Sequence, residues 1–150
     1  MTEIDLSYGM LDRMVGLELR KAQSLAGQTF LNVLDGHILP GHFTILVLIA
    51  ENPGQSQSKI AEAAGLDRSS LVPILRQFEK ADLINRIPAR NDRRSKTMAI
   101  RPKGKALIEK YTPEIQKLED MVMQGMGTEN YENFIELLLQ FQDLISSKTK

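Results

Sequence analysis

Apolar residues recur with a helical period along most of the chain. Residues 6–34 contain no Pro and place Leu11, Met14, Val15, Leu19, Leu25 and Phe30 at recurring positions, which predicts one long helix. That helix is longer than a small domain needs, so part of its face is expected to pack on a partner chain. Asp35-Gly36-His37 interrupts the pattern, and Pro40 suits the first turn of a second helix. Residues 43–50 are almost wholly apolar, so this second helix should be buried on most sides. Asn52-Pro53-Gly54 stops it. Ser56 has the chemistry of an N-cap for a short helix over 57–64, and Gly65 can end that helix in a left-handed conformation. Asp67 caps a further helix over 68–81. On it Leu71, Ile74, Leu75 and Phe78 share one face, which must point to the core. Ser69, Val72, Pro73, Arg76 and Lys80 lie on or beside the opposite face.

The period then changes. Residues 84–90 and 96–100 read as two short strands, with Asn91-Asp92-Arg93-Arg94-Ser95 as a hairpin tip. Pro102 opens a helix that runs to 126, with a kink expected at Pro113. A last helix spans 128–146, with Phe134, Leu137, Leu138, Phe141, Leu144 and Ile145 as its apolar stripe. No internal repeat or low-complexity tract interrupts this order. The fold class is therefore mainly α with a small β-hairpin wing. A winged helix-turn-helix core over about 37–102 is expected between helical regions, about 1–36 and 103–150, from both termini.

The middle of this order has the parts a helix-turn-helix requires. Ala61 is small enough for a close helix crossing, Gly65-Leu66-Asp67 makes a tight turn, and the following helix keeps a polar outer face. A hairpin tipped with two Arg follows it. An Arg on a narrow tip can enter a minor groove, where negative potential is concentrated. The alternative for Arg93 and Arg94 is a solubilising loop.

Charge changes the picture more than composition does. The formal net charge is zero, but residues 67–105 carry 11 basic and 4 acidic residues, a balance of +7 that the rest of the chain offsets. Attraction to phosphates needs such an asymmetry, although a solvated basic face would show it too. The length of 150 residues allows one domain or two small subdomains sharing a core. No apolar run approaches the length of a membrane span, so no membrane association is expected. The opening Met-Thr-Glu-Ile-Asp-Leu lacks the basic and apolar regions of a signal peptide, and a cytoplasmic location is expected. With no Cys, disulfides, thiolate nucleophiles and thiol-based redox switches are excluded.

Four stretches carry a resemblance to a known family. They are Leu-Pro-Gly-His-Phe-Thr-Ile-Leu at 39–46, Gln-Ser-Lys-Ile-Ala-Glu-Ala-Ala-Gly-Leu-Asp-Arg-Ser-Ser-Leu-Val at 57–72, Phe-Glu-Lys-Ala-Asp-Leu-Ile-Asn-Arg at 78–86, and Asn-Asp-Arg-Arg-Ser at 91–95 leading into Pro102-Lys103-Gly104. Together they resemble the MarR-type winged helix regulators over nearly the whole chain, and the Asp-x-Arg of Asp92 and Arg94 is the most specific part. The resemblance implies a homodimer joined through its terminal helices. Each subunit would place a recognition helix in a major groove of double-stranded DNA and a wing in the flanking minor groove. It also implies repression at near-palindromic sites, relieved when a small molecule, often an aromatic acid or a relative, binds between the dimerisation helices and the winged domain. Carried onto this chain, Arg68, Ser69 and Ser70 would stand at the start of the recognition helix, with Arg76 further along the groove. Ser56 and Gln57 would touch the backbone. Arg94 would enter the minor groove with Asp92 bracing the tip, and Arg93 would meet phosphates.

Two positions depart from the family pattern. Pro73 occupies the centre of the exposed helix face, where relatives often carry a contacting residue, and it costs a helix hydrogen bond. Arg101 replaces the usual Thr cap of the next helix.

His42 marks an expected effector pocket, which Leu19, Gln23, Phe43, Leu46 and Tyr111 could join, although core packing accounts for these residues equally well. The five-residue spacing of His37 and His42, without Cys, makes a poor metal site, so no metal or cofactor is expected. Met121, Met123 and Met126 read as adaptable packing. No Gly-rich phosphate loop or paired-carboxylate motif points to an enzyme. The competing reading is a winged helix used as a protein-interaction module without DNA.

Overall fold

The computed structural model describes residues 6–88 and 96–147. The hairpin tip, with Asp92, Arg93 and Arg94, lies outside the described residues. Two compact units divide the chain, Met1–Ile108 and Glu109–Lys150.

In the first unit a short 3-10 turn, Gly9–Leu11, precedes helix α1, Val15–Val33. The continuous helix expected from residue 6 therefore starts at Val15. Arg13 is left-handed (φ 60°) and Met14 is extended, so the backbone cannot carry a helical hydrogen-bond ladder through that point. Neither residue type signals this. Helix α2, Pro40–Glu51, begins on Pro40 and buries Phe43, Ile45, Leu46 and Ile49, as its apolar run predicts. Helices α3, Gln57–Ala63, and α4, Arg68–Lys80, pack on each other. Leu71, Leu75 and Phe78 of α4 enter the core, and Ile74 is half-buried at its edge.

Strands β1, Ile84–Pro88, and β2, Lys96–Ile100, pair antiparallel, with Ile84 opposite Ile100 and Arg86 opposite Met98. Alternation puts Ile84 and Met98 in the core at 2% and 1% exposure, and α2 packs against β2. Helix α5, Pro102–Met126, follows at once. Its first turn meets the α4–β1 turn and the end of β2 so closely that only Gly fits at position 104: a Cβ there would fall 2.5 Å from Ile100 Cδ1 and nearer still to the Leu83 carbonyl oxygen. That carbonyl already accepts the Arg101 N–H at 2.8 Å.

The boundary between the units falls within α5, which runs as one helix through Pro113. The second unit contains the rest of α5 and helix α6, Thr128–Ser146, joined across left-handed Gly127 (φ 81°). Tyr131 donates its hydroxyl proton to Glu119 Oε2 at 2.8 Å, linking the two helices. No residue of α6 is buried, and Phe134, Ile135, Leu137, Leu139, Leu144 and Ile145 are all exposed. No described helix is long and apolar enough to cross a membrane.

Candidate nucleic-acid interface

The turn between α3 and α4 is built by local chemistry. Ser56 is extended, and its Oγ accepts the Lys59 N–H at 3.3 Å, capping α3. Its backbone also bridges antiparallel to Thr97, so the start of α3 is pinned to the wing strand β2. Ala61 is buried at 2% exposure. Gly65 is left-handed (φ 68°) and sends its N–H to Glu62 O at 3.0 Å, while Leu66 N–H reaches Ala61 O at 2.8 Å. These two bonds close the end of α3 and aim the chain into α4.

Asp67 is the N-cap of α4. Its Oδ1 accepts the Ser70 N–H at 2.8 Å and the Ser69 hydroxyl at 2.5 Å, and its Oδ2 accepts the Ser70 hydroxyl at 2.9 Å. These donors hold its carboxyl at a pKa of about 2, the Ser69 hydroxyl contributing most, then the Ser70 N–H and the Ser70 hydroxyl. The start of α4 therefore already carries an anion. Ser69 and Ser70 are exposed, as a contact role requires, but their hydroxyl protons turn inward to Asp67 and leave oxygen lone pairs outward.

Arg68 and Arg76 are exposed. Pro73 between them is exposed as well, and α4 continues through it as one helix. Without an N–H, Pro73 cannot bond the Ser69 carbonyl one turn earlier, which leaves a backbone acceptor on the outward face. Ser56 is exposed and Gln57 half-buried at the start of α3.

Two ion pairs, neither visible in the linear pattern, tie the helix-turn-helix to the wing and to α5. Arg86 Nε of β1 lies 3.0 Å from Glu79 Oε2 of α4, with both side chains largely covered. Arg101 Nε lies 2.9 Å from Asp82 Oδ1 at the left-handed turn after α4. The Arg that replaces a cap thus anchors the wing's exit, in an exposed pair worth at most about 1 kcal/mol.

A pocket of about 340 Å³ opens within the first unit. Gly36, His37, Ile38 and Leu39 of the α1–α2 connection form one wall, and His42 of α2 stands beside them. Gln77, Phe78 and Ala81 from the end of α4, with Leu83 and Leu107, complete it. The His42 ring meets the Phe78 ring edge-on, with centroids 6.0 Å apart. Burial lowers the His42 pKa from its ordinary value, which favours the uncharged imidazole. Of the six residues the sequence suggests for an effector site, His42 alone lines this pocket. Phe43 and Leu46 are buried in the core, Leu19 is half-buried and Gln23 exposed on α1, and Tyr111 is buried at 2% exposure in the second unit.

Comparison with known proteins fits this geometry. The model of the MarR family matches residues 38–96, which run from the start of α2 into β2. A protein of Thauera aromatica assigned to transcriptional regulation of the hcr operon is 36% identical over 103 residues, covering 67% of this chain. The alignment spans 61% of that relative's length. Among solved structures, the transcriptional repressor CouR bound to a 23-mer DNA duplex superposes with a TM-score of 0.82 at 27% identity, covering 93% of this chain and 99% of that one. CouR bound to p-coumaroyl-CoA matches at 0.80 and 26%, covering 92% and 98%. The PcaV regulator of Streptomyces coelicolor shares the fold with a TM-score of 0.82 at 17% identity, covering 95% and 98%. The chain is similar to the MarR family over residues 38–96 and shares the winged helix-turn-helix architecture of CouR.

Proposed function

We propose that this protein is a homodimeric, sequence-specific regulator of transcription, a repressor that a small aromatic effector releases from a near-palindromic site on double-stranded DNA. The outward face of α4 carries the reading: Arg68 and Arg76 are exposed there, on a helix whose opposite face is locked into the core. Arg76 enters the major groove, with Arg68 and the hydroxyl oxygens of Ser69 and Ser70 at the helix start. Ser56 and Gln57 meet the DNA backbone from α3. Arg93 and Arg94 meet phosphates and the minor groove, with Asp92 bracing the tip. The DNA-bound form of CouR, similar in fold and 27% identical, supports this docking, and its complex with p-coumaroyl-CoA supports an aromatic effector.

Dimerisation is inferred from the second unit. An α6 with no buried residue and six large exposed apolar side chains leaves too much apolar surface facing water for a chain that acts alone. A second copy covers it.

Titration of double-stranded DNA at rising salt tests the reading. Four cationic side chains per subunit, Arg68, Arg76, Arg93 and Arg94, bring about eight charges to the duplex, so the logarithm of affinity should fall against the logarithm of salt with a slope approaching about −7. A flat response would instead favour a winged helix that binds protein.

A further inference from the structure

The chain has two histidines, and both line the pocket between the α1–α2 connection and the end of α4. Among the described residues, the other polar side chain in the lining is Gln77, alongside Ile38, Leu39, Phe78, Ala81, Leu83 and Leu107 with the backbone of Gly36. No Lys, Arg, Asp or Glu among the described residues contributes to the wall. A volume of about 340 Å³ lies at the small end of ligand-binding cavities, enough for a one-ring molecule.

We infer that this pocket binds an uncharged aromatic molecule bearing one hydrogen-bonding group, and that it excludes a free carboxylate. The apolar wall takes the ring. The His42 imidazole and the Gln77 amide each offer both a donor and an acceptor, so a hydroxyl, amide, ester or thioester can be satisfied there. A carboxylate would be desolvated against Phe78 and Leu107 with no Lys or Arg among the described lining residues to pair it, which costs far more than burying a neutral polar group with a partner. Neutral His42 offers it no charge either. An aromatic acid therefore enters only with its carboxyl masked. This class is narrower than the aromatic effector proposed above. It also assigns the ligand to a cavity inside the winged unit, with the last turn of α4 as one wall. Its link to regulation rests on the DNA-binding reading, because the ligand then buttresses or displaces the end of the helix that meets DNA.

Because both histidines face the site, their imidazole NMR signals report on it without labels or added probes. The full-length protein is titrated at pH 7.5 with phenol, benzamide and benzoate, the last two differing essentially in charge. The expected result is saturable movement of both imidazole signals with phenol and benzamide, and an affinity for benzoate at least about tenfold weaker. Ala81→Leu, at an exposed lining position, narrows the cavity by three carbon atoms and should weaken the shifts strongly while leaving the circular dichroism spectrum intact. The inference is overturned if neither neutral compound moves the signals up to its solubility limit. Equal or tighter binding of benzoate, or unchanged binding to folded Ala81→Leu, overturns it too. A separate DNA titration with saturating benzamide addresses the regulatory link. A several-fold loss of DNA affinity in the parent protein, absent in Ala81→Leu, supports it, and unchanged affinity removes that link while leaving the ligand site standing. Failure of DNA binding altogether would overturn the proposed function without touching the NMR result.

Discussion

Gly104→Ala puts a methyl group where α5 leaves the wing. Its carbon would stand 2.5 Å from Ile100 Cδ1 and closer to the Leu83 carbonyl oxygen. Ile100 can rotate away. The carbonyl cannot, because it belongs to the turn that ends α4 and already accepts the Arg101 N–H at 2.8 Å. The first turn of α5 must therefore retreat by several tenths of an ångström, which lengthens that hydrogen bond and opens the packing beneath it. Overpacking of this kind costs about 1–3 kcal/mol, and backbone rather than side chain in the way puts it at the upper end. Against it stands about 0.4–1 kcal/mol from the stiffer unfolded chain. The net is about 2 kcal/mol of destabilisation, or roughly 4–8 °C in Tm for a domain of this size. Gly41→Ala is the matched control: it too lies in the first turn of a helix opened by Pro, but a Cβ there meets nothing within 4 Å. It should raise Tm by roughly 1–4 °C. Thermal unfolding followed by circular dichroism at one fixed protein concentration measures both. If Gly104→Ala matched or exceeded the parent in Tm, the close approach of α5 to the α4–β1 turn would be refuted.

Asp67→Asn keeps a capping oxygen but loses the charge. Because the carboxyl is depressed to about 2 from an ordinary value of 3.8, the advantage of Asp is fully present above about pH 4 and lost as pH falls through 2. The Tm difference between parent and variant should thus be constant from pH 5 to 8 and shrink below pH 4; a difference that persists at pH 2 would contradict the assignment. Arg76→Ala should weaken DNA binding and reduce the magnitude of the salt slope by about 2 for a dimer, one contact per subunit. An unchanged slope in a salt titration would take Arg76 out of the interface. Leu137→Glu, on the exposed face of α6, should shift the protein toward monomer in sedimentation equilibrium, and a dimer of unaltered strength would place the subunit contact elsewhere.

Much of the winged core was legible because its signals are local. Ser56, Gly65 and Asp67 act on groups within about one helical turn, and each has the conformation or cap its residue type suggests. The core face of α4 followed from spacing alone. The start of α1 was not legible, since nothing in Arg13 announces a left-handed backbone. The inward turn of Ser69 and Ser70 follows from their short spacing to Asp67, which competes with phosphate for the same hydroxyl protons. The pocket was half legible: His42 could be singled out, but Gln77, Ala81 and Leu107 join it only because three helices converge. The need for Gly at 104 likewise appears only when Leu83 and Ile100 are placed beside it.

The central claim is that two copies of this chain present two α4 helices to successive major grooves. Hydroxyl-radical footprinting of the full-length protein, on duplexes selected by it from a random pool, tests this most directly. The account predicts an enriched, two-fold symmetric sequence. Protection should fall on one face of the duplex, in two half-sites whose centres lie about one helical turn, roughly 10 bp, apart. No enrichment, or a footprint covering a single asymmetric half-site, would contradict it.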